Sequence, residues 1–359
     1  YVTKTGMLIS QHNSPLLAID ACNQLAFKVD GNFHHSIEPD NDPQFVWVPD
    51  TRVPGEHAFL YKNYRDFLVS KIDLETKQVA FSKSVTTMLM EAGIFEQVVG
   101  GVLNPGNALH LNDIEVAKTD TDFWQKGDLF LSLNSISTII QYRPSIDQIV
   151  WHKTGPWRRQ HDVDLISDTE LAVFDNRISI YNWATIKSLD FFEYRNDETA
   201  AETNSIVIHS MSTGEDTRPF KNLFEKLDTI NTVTGGLQHF VDRNTVIVEA
   251  TDNSRLVAGT NDEVFWTFQW NSQIRWFRYL DRVEGRAADQ KDPHPRVADR
   301  NEHQVGGGDS YHLWMFIKVT HEPWSRKVKG DGDHNAISHA PKKADTQDVC
   351  HTVELLSSP

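Results

Sequence analysis

The stretch GPWRRQHDVDLISDTELAVFDN, residues 155–176, decides the reading of this chain. It opens on a Gly155-Pro156 turn signal. Arg158, Arg159, Gln160, His161 and Asp162 come next, leading into a strand. A polar turn at Ser167-Asp168 then gives way to a second strand, Glu170 to Phe174, closed by Asp175-Asn176. A histidine beside two cations, at the head of a strand, is a candidate for chemistry. The same residue types also suit a buried, hydrogen-bonded structural histidine.

Short apolar runs separated by turns recur on both sides of this stretch. Residues 7–9, 16–19 and 25–27 make one set; 45–48, 67–69 and 79–81 a second; 129–131, 138–140 and 149–151 a third. Residues 171–174, 178–180 and 205–208 make a fourth, and 245–248, 255–257 and 264–266 a fifth. Strands at this spacing predict an all-β repeat architecture. Counting a histidine-bearing strand before each set gives four strands per unit, the blade of a propeller. Those heads are His34-His35, His110, His161 and His239. The first strand of each propeller blade lines the central channel, so these histidines are expected to converge on one axis.

Two stretches read as insertions. Residues 86–108 have helical spacing at Met88, Met90, Ile94 and Phe95, and residues 217–230 also suit a helix. Beyond residue 286 the chain turns polar. The expected division is a propeller over 1–286 and a C-terminal extension over 287–359, with residues 311–319 as a closing strand. His294, His303, His312 and His321 lack the close ligand pairs of a metal site. The Gly330–Asn335 segment resembles part of a calcium loop but lacks the distal Glu, and reads as a polar turn.

With 359 residues and 39% hydrophobic content the chain can bury a sizeable core. Its net charge of −15 argues against nucleic acid and against anionic membrane surfaces. No apolar run is long enough to cross a bilayer, and no signal peptide is visible; the start at Tyr1 suits a processed form. The two cysteines, Cys22 and Cys350, fit either a disulfide joining the chain's ends or two buried thiols.

Several segments together resemble the bacterial-type arylsulfotransferase family. Gln160-His161-Asp162 followed by Leu171–Asn176 resembles a signature segment. His110 through Glu115, Gly127 through Ser132 and Ile149 through Trp151 resemble the preceding blade. Gly235 through His239, Asn244 through Ala250 and Val264 through Trp266 resemble a late blade, and Arg278-Tyr279 the closing pair. The likeness covers roughly residues 6–282.

The resemblance implies a six-bladed propeller that moves a sulfuryl group from an aryl sulfate to a phenol without the nucleotide donor PAPS. No cofactor and no metal are expected. His161 would be the nucleophile, forming a sulfohistidine. His110, with Asn112, falls on the sulfuryl-binding motif, and His35 or His34 on a further channel histidine that serves in proton transfer. His239 heads the late blade. Where the family carries Ser-x-Arg, this chain reads Ser132-Leu133-Asn134, so Arg158 or Arg159 is the candidate substitute. The family suggests an oxidising, periplasmic or secreted location, and a homo-oligomer or larger assembly is compatible with it. The missing arginine and the polar tail also suit an alternative, an inactive propeller serving as a binding or structural module. A metal-dependent propeller hydrolase is a third reading, drawing on Glu38, Asp113 and Asp162.

Overall fold

The computed structural model describes residues 1–11, 14–57, 59–60, 64–96, 107–177, 203–227, 236–250, 255–269, 278–280 and 314–316. The expected strand at 178–180, the histidines at 294, 303, 312 and 321, and the 330–335 turn lie outside them.

The architecture is an antiparallel β-propeller. Its first blade has three strands, β1 (Leu8–Ser10), β2 (Ser14–Ile19) and β3 (Leu25–Phe33). The second is β4 (Glu38–Pro39), β5 (Phe45–Arg52), β6 (Asp66–Asp73) and β7 (Gln78–Ser84). The third is β8 (Leu111–Val116), β9 (Leu129–Leu133), β10 (Thr138–Arg143) and β11 (Gln148–Thr154). The fourth is β12 (His161–Leu165), β13 (Glu170–Asp175), β14 (Ser205–Ser210) and β15 (Asp216–Thr217), and the fifth β16 (Gly236–Asp242), β17 (Thr245–Ala250), β18 (Arg255–Gly259) and β19 (Val264–Gln269).

Five blades are therefore described, where six were expected. They use the chain from Leu8 to Gln269. Beyond Gln269 the chain contributes a two-stranded ladder, β20 (Arg278–Leu280) against β21 (Trp314–Phe316), the latter within the 311–319 stretch.

The apolar pattern reflects position in the blade. The middle strands are covered by neighbouring blades on both faces, so they read as continuous apolar runs. Every residue of β9 is buried. The outermost strands face water on one side and alternate, as β11 does. Four hydrophobic clusters result, and each spans two consecutive blades. Ala117, Phe130 and Ile139 of the third blade, for example, pack with Val163, Val173 and Val207 of the fourth. At about 1.5–3 kcal/mol per fully buried large aliphatic or aromatic side chain, these seams carry most of the stabilisation.

Both insertions contain a helix. In α1 (Val85–Glu91), Ser84 caps the N-terminus by accepting the Thr87 N–H, and Val85, Met88 and Leu89 are buried. Met90 is exposed, while Ile94 and Phe95 pack on the same core. This helix is part of the seam between blades two and three. In α2 (Lys221–Leu227), Leu223, Phe224 and Leu227 are buried between blades four and five. Residues 216–217, at the edge of the second expected helix, instead form β15.

The first strands of successive blades meet at the centre and are tied by side chains. The Ser36 hydroxyl accepts the Ile114 N–H at 3.1 Å. Asp113 Oδ2 accepts the Val163 N–H at 2.8 Å, and Asp162 Oδ2 accepts the Gln238 N–H at 2.6 Å. Bulges between Leu111 and Asp113 and between His161 and Val163 lift Asn112 and Asp162 out of their ladders. These carboxylates, read from sequence as metal-ligand candidates, thus bind backbone across the blade seams.

Cys22 is disulfide-bonded. The chain holds one other cysteine, Cys350, which lies outside the described residues.

Candidate functional site

Three of the four expected histidine heads converge. One ring nitrogen from each of His35, His110 and His161 lies within 4.8 Å of the other two. Ring centroids are 5.0 Å apart for His35 and His110, 6.2 Å for His35 and His161, and 6.3 Å for His110 and His161. His35 and His110 keep partial exposure and His161 is buried. His239 is not a member of this group. It lies within β16 opposite Ile247, half-buried.

Each of the three rings is held from behind through Nδ1. His35 Nδ1 lies 2.6 Å from Nδ1 of His34, a buried ring packed edge-on against Phe67. His110 Nδ1 lies 2.5 Å from the Asn107 amide. His161 Nδ1 lies 3.0 Å from the Asn176 amide and 3.4 Å from that of Asn134. In front, His35 Nε2 and His110 Nε2 face each other at 3.4 Å. The asparagine atoms that face Nδ1 of His110 and His161 are amide nitrogens, which donate. Nε2 presents a lone pair to the centre in the tautomer whose Nδ1 carries the proton, for which His161 has the Arg159 carbonyl as acceptor and an asparagine must turn its amide over to offer oxygen.

His34, His110 and His161 titrate well below ordinary histidine. Burial takes His161 down to about 3, and the neighbouring His110 adds to it. Burial takes His110 to about 4, reinforced by the charges of Arg159 and Arg65. Burial takes His34 to about 3, with His110 and Arg65 also disfavouring its proton and a backbone hydrogen bond at Asp50 opposing them. At neutral pH His110 and His161 are therefore uncharged imidazoles with cations nearby.

The backbone around the rings is strained. His35 (φ 60°), His110 (φ 51°), Arg159 (φ 54°) and Asp162 (φ 49°) all adopt left-handed conformations. Each costs a non-glycine residue about 1–3 kcal/mol, and such residues cluster at functional sites.

Other sequence candidates serve as supports. Asn112 is fully buried and its amide donates to the Gln160 carbonyl at 2.8 Å. Asn134 sits in the 3-10 turn after β9 and donates to the carbonyls of Arg159 (2.8 Å) and Gln160 (3.0 Å). Both asparagines thus hold the segment that delivers His161. The Arg158 N–H donates to Asp175, and the Arg159 guanidinium to the Ser135 hydroxyl at 3.3 Å. Arg159 is the cation felt by His110; Arg65, before β6, is a second one that the sequence did not single out. It sits on no histidine-headed strand, and its signal was only a cation preceding a buried strand.

A cavity of about 240 Å³ opens further along the same inner strands, lined by Tyr1, Glu38, Asp113, Glu115, Asp162 and Asp164. It is acidic where the histidine end is neutral to cationic. No described helix is long and apolar enough to cross a membrane.

Among solved structures, virginiamycin B lyase from Staphylococcus aureus is similar at 13% identity, with 77% of this chain and 72% of that one covered and a TM-score of 0.43. A protein of unknown function from Bacteroides caccae is similar at 11% identity, covering 74% and 78%, with a TM-score of 0.46. The Neurospora crassa Pan2 WD40 domain is similar at 8% identity, covering 76% and 68%, with a TM-score of 0.41. No curated protein matches the chain. The family model described as arylsulfotransferase (ASST) matches residues 11–271, from β2 through β19 with every histidine of the centre, and the chain belongs to that family.

Proposed function

We propose that the protein transfers a sulfuryl group from an aryl sulfate to a phenol without PAPS, with His161 as the nucleophile. The observation that carries this reading is the meeting of three imidazoles in a chain of the arylsulfotransferase family. An imidazole with a free Nε2 lone pair is a competent nucleophile. Its attack on sulfur breaks the bond to the aryl oxygen, and the electron pair leaves with the phenoxide. The bound ester's negative charge raises the proton affinity of the His35–His110 pair. That pair, 3.4 Å apart, shares one proton and gives it to the phenoxide. The acceptor phenol then returns a proton to the pair as its oxygen takes the sulfuryl group from His161. Arg159 and Arg65 supply positive field to the sulfuryl oxygens in place of the arginine absent at Asn134.

The alternative, an inactive module, draws support from Asn134. Its amide is committed to the Arg159 and Gln160 carbonyls rather than to an anion. An extracytoplasmic, oxidising location fits the Cys22 disulfide.

The test is incubation of the full chain with a chromogenic aryl sulfate, with and without phenol. A sulfuryl adduct on His161, acid-labile and base-stable, that is discharged by phenol supports the reading. Absence of both turnover and adduct overturns it in favour of the inactive module. Turnover retained in His161→Ala removes His161 as the nucleophile.

A further inference from the structure

We propose that His35, His110 and His161 also form a binding site for one transition-metal dication of the zinc type, and that its occupancy excludes sulfuryl chemistry. The metal site stands without the sulfuryl reading; only the exclusion rests on it.

The geometry is that of a three-imidazole ligand set. Tetrahedral zinc with Zn–N bonds of about 2.0–2.1 Å requires ligand nitrogens about 3.3 Å apart. His35 Nε2 and His110 Nε2 are 3.4 Å apart, and the third ring's nitrogen is within 4.8 Å of both. Small side-chain rotations of His161 close the remaining gap. The second requirement is support behind each ligand, because a metal-bound histidine is oriented through its other ring nitrogen. His34 Nδ1 and the amide nitrogens of Asn107 and Asn176 sit there at 2.6, 2.5 and 3.0 Å, and turning either amide over presents the oxygen that accepts an Nδ1–H. The partial exposure of His35 and His110 leaves an entry path.

The donor set selects the ion. Three imidazoles without a carboxylate suit Zn²⁺, Co²⁺, Ni²⁺ or Cu²⁺ and disfavour Mg²⁺ and Ca²⁺, which require oxygen. Among the described residues the histidine group includes no carboxylate, and Arg159 and Arg65 oppose a dication. An anion, hydroxide or a sulfate oxygen, therefore completes the coordination. The metal takes the lone pair that His161 would use for attack, so metal and sulfuryl group compete for one nitrogen.

The test titrates the chelator-treated full chain with Co²⁺, followed by absorption, and with Zn²⁺, followed by calorimetry. The expected result is one ion of Co²⁺ per chain at the site with tetrahedral absorption bands, displaced by Zn²⁺. His110→Ala and His35→Gln should each weaken binding at least tenfold, while His57→Ala, in the separate Glu56–His57–Asp66 group, leaves it unchanged. Circular dichroism checks that each variant is folded. Failure to bind, equal binding of Mg²⁺, or bands that persist in both site variants would overturn the metal site. Zinc that fills the site yet leaves turnover intact would overturn the exclusion. Binding without turnover in the metal-free chain would retain the metal site and count against the sulfuryl reading, so the two fail separately.

Discussion

Removing the carboxylate of Asp162 should open the seam between the fourth and fifth blades rather than abolish a chemical step. Asp162 is 3% exposed and its Oδ2 accepts the Gln238 N–H at 2.6 Å. A hydrogen bond to a charged partner contributes about 1.5–3 kcal/mol, and an orphaned buried donor costs about 1–3 kcal/mol. Asp162→Ala should therefore destabilise the protein by about 2–3 kcal/mol. Asp113→Ala should cost a similar amount, because Asp113 makes the same contact to Val163 at 2.8 Å. Ser36→Ala removes a longer, neutral bond of 3.1 Å and should cost about 1 kcal/mol. Asp162→Asn keeps an acceptor and should fall between Ser36→Ala and Asp162→Ala. Urea denaturation at neutral pH measures the series. With a slope of about 3 kcal/mol/M, the alanine variants at the aspartates should move the midpoint down by about 0.7–1 M. Midpoints within error of the parent, with turnover lost, would refute the seam assignment and return these carboxylates to the chemistry.

The supports of the imidazole centre and its ionisation give three more tests. Asn176→Leu removes the amide behind His161 Nδ1 and should lower kcat at least tenfold while KM changes little, read by steady-state kinetics with an aryl sulfate. Asp175→Ala strips acceptors from the Arg158 and Arg177 N–H groups and from the Arg218 guanidinium. It should cost about 3–5 kcal/mol in chemical denaturation. Histidines with folded pKa values depressed to about 3–4 take up protons on unfolding, so stability should fall with acidification. For the metal-free protein the loss should begin near the unfolded value of about 6.5 and continue to about pH 3. A chelated urea series with unchanged midpoints from pH 7 to 5 would contradict the neutral-imidazole centre.

Most of the propeller was legible because each blade's middle strands are buried on both faces. Leu129–Leu133 and Leu171–Phe174 therefore announce themselves as apolar runs. The convergence of His35, His110 and His161 could be read from the repeat, since equivalent strand heads share one axis. His239 heads its blade in sequence but sits inside β16, because that strand begins three residues earlier at Gly236 and pairs the histidine with Ile247. The roles of Asp113 and Asp162 were not legible. A carboxylate after a histidine looks the same in sequence whether it binds a metal or a backbone N–H on the next blade. Asn134 was readable as a departure from the family pattern. Its actual work, holding two carbonyls before His161, depends on a turn that only the folded chain displays.

A chain with a net charge of −15 is an unpromising host for an anionic ester, and the layout of the inner strands resolves the difficulty. Glu115 lies in β8, five residues after His110, and Glu38 heads β4, three residues after His35; a fully extended chain sets these pairs at most about 16 Å and about 10 Å apart. Both carboxylates line the acidic cavity and neither belongs to the imidazole group. The nearest carboxylates, Asp113 and Asp162, face backbone N–H groups that offset their charge. Arg159 and Arg65 lie close enough to depress His110. The acidic cavity and the imidazole centre with its two cations are thus distinct places on the same inner strands, and the ester site proposed above is the latter. Arg159→Gln should accordingly raise KM for an aryl sulfate more than Glu115→Gln lowers it. Equal and opposite effects of the two substitutions would mean that the ester senses the whole channel rather than its histidine end.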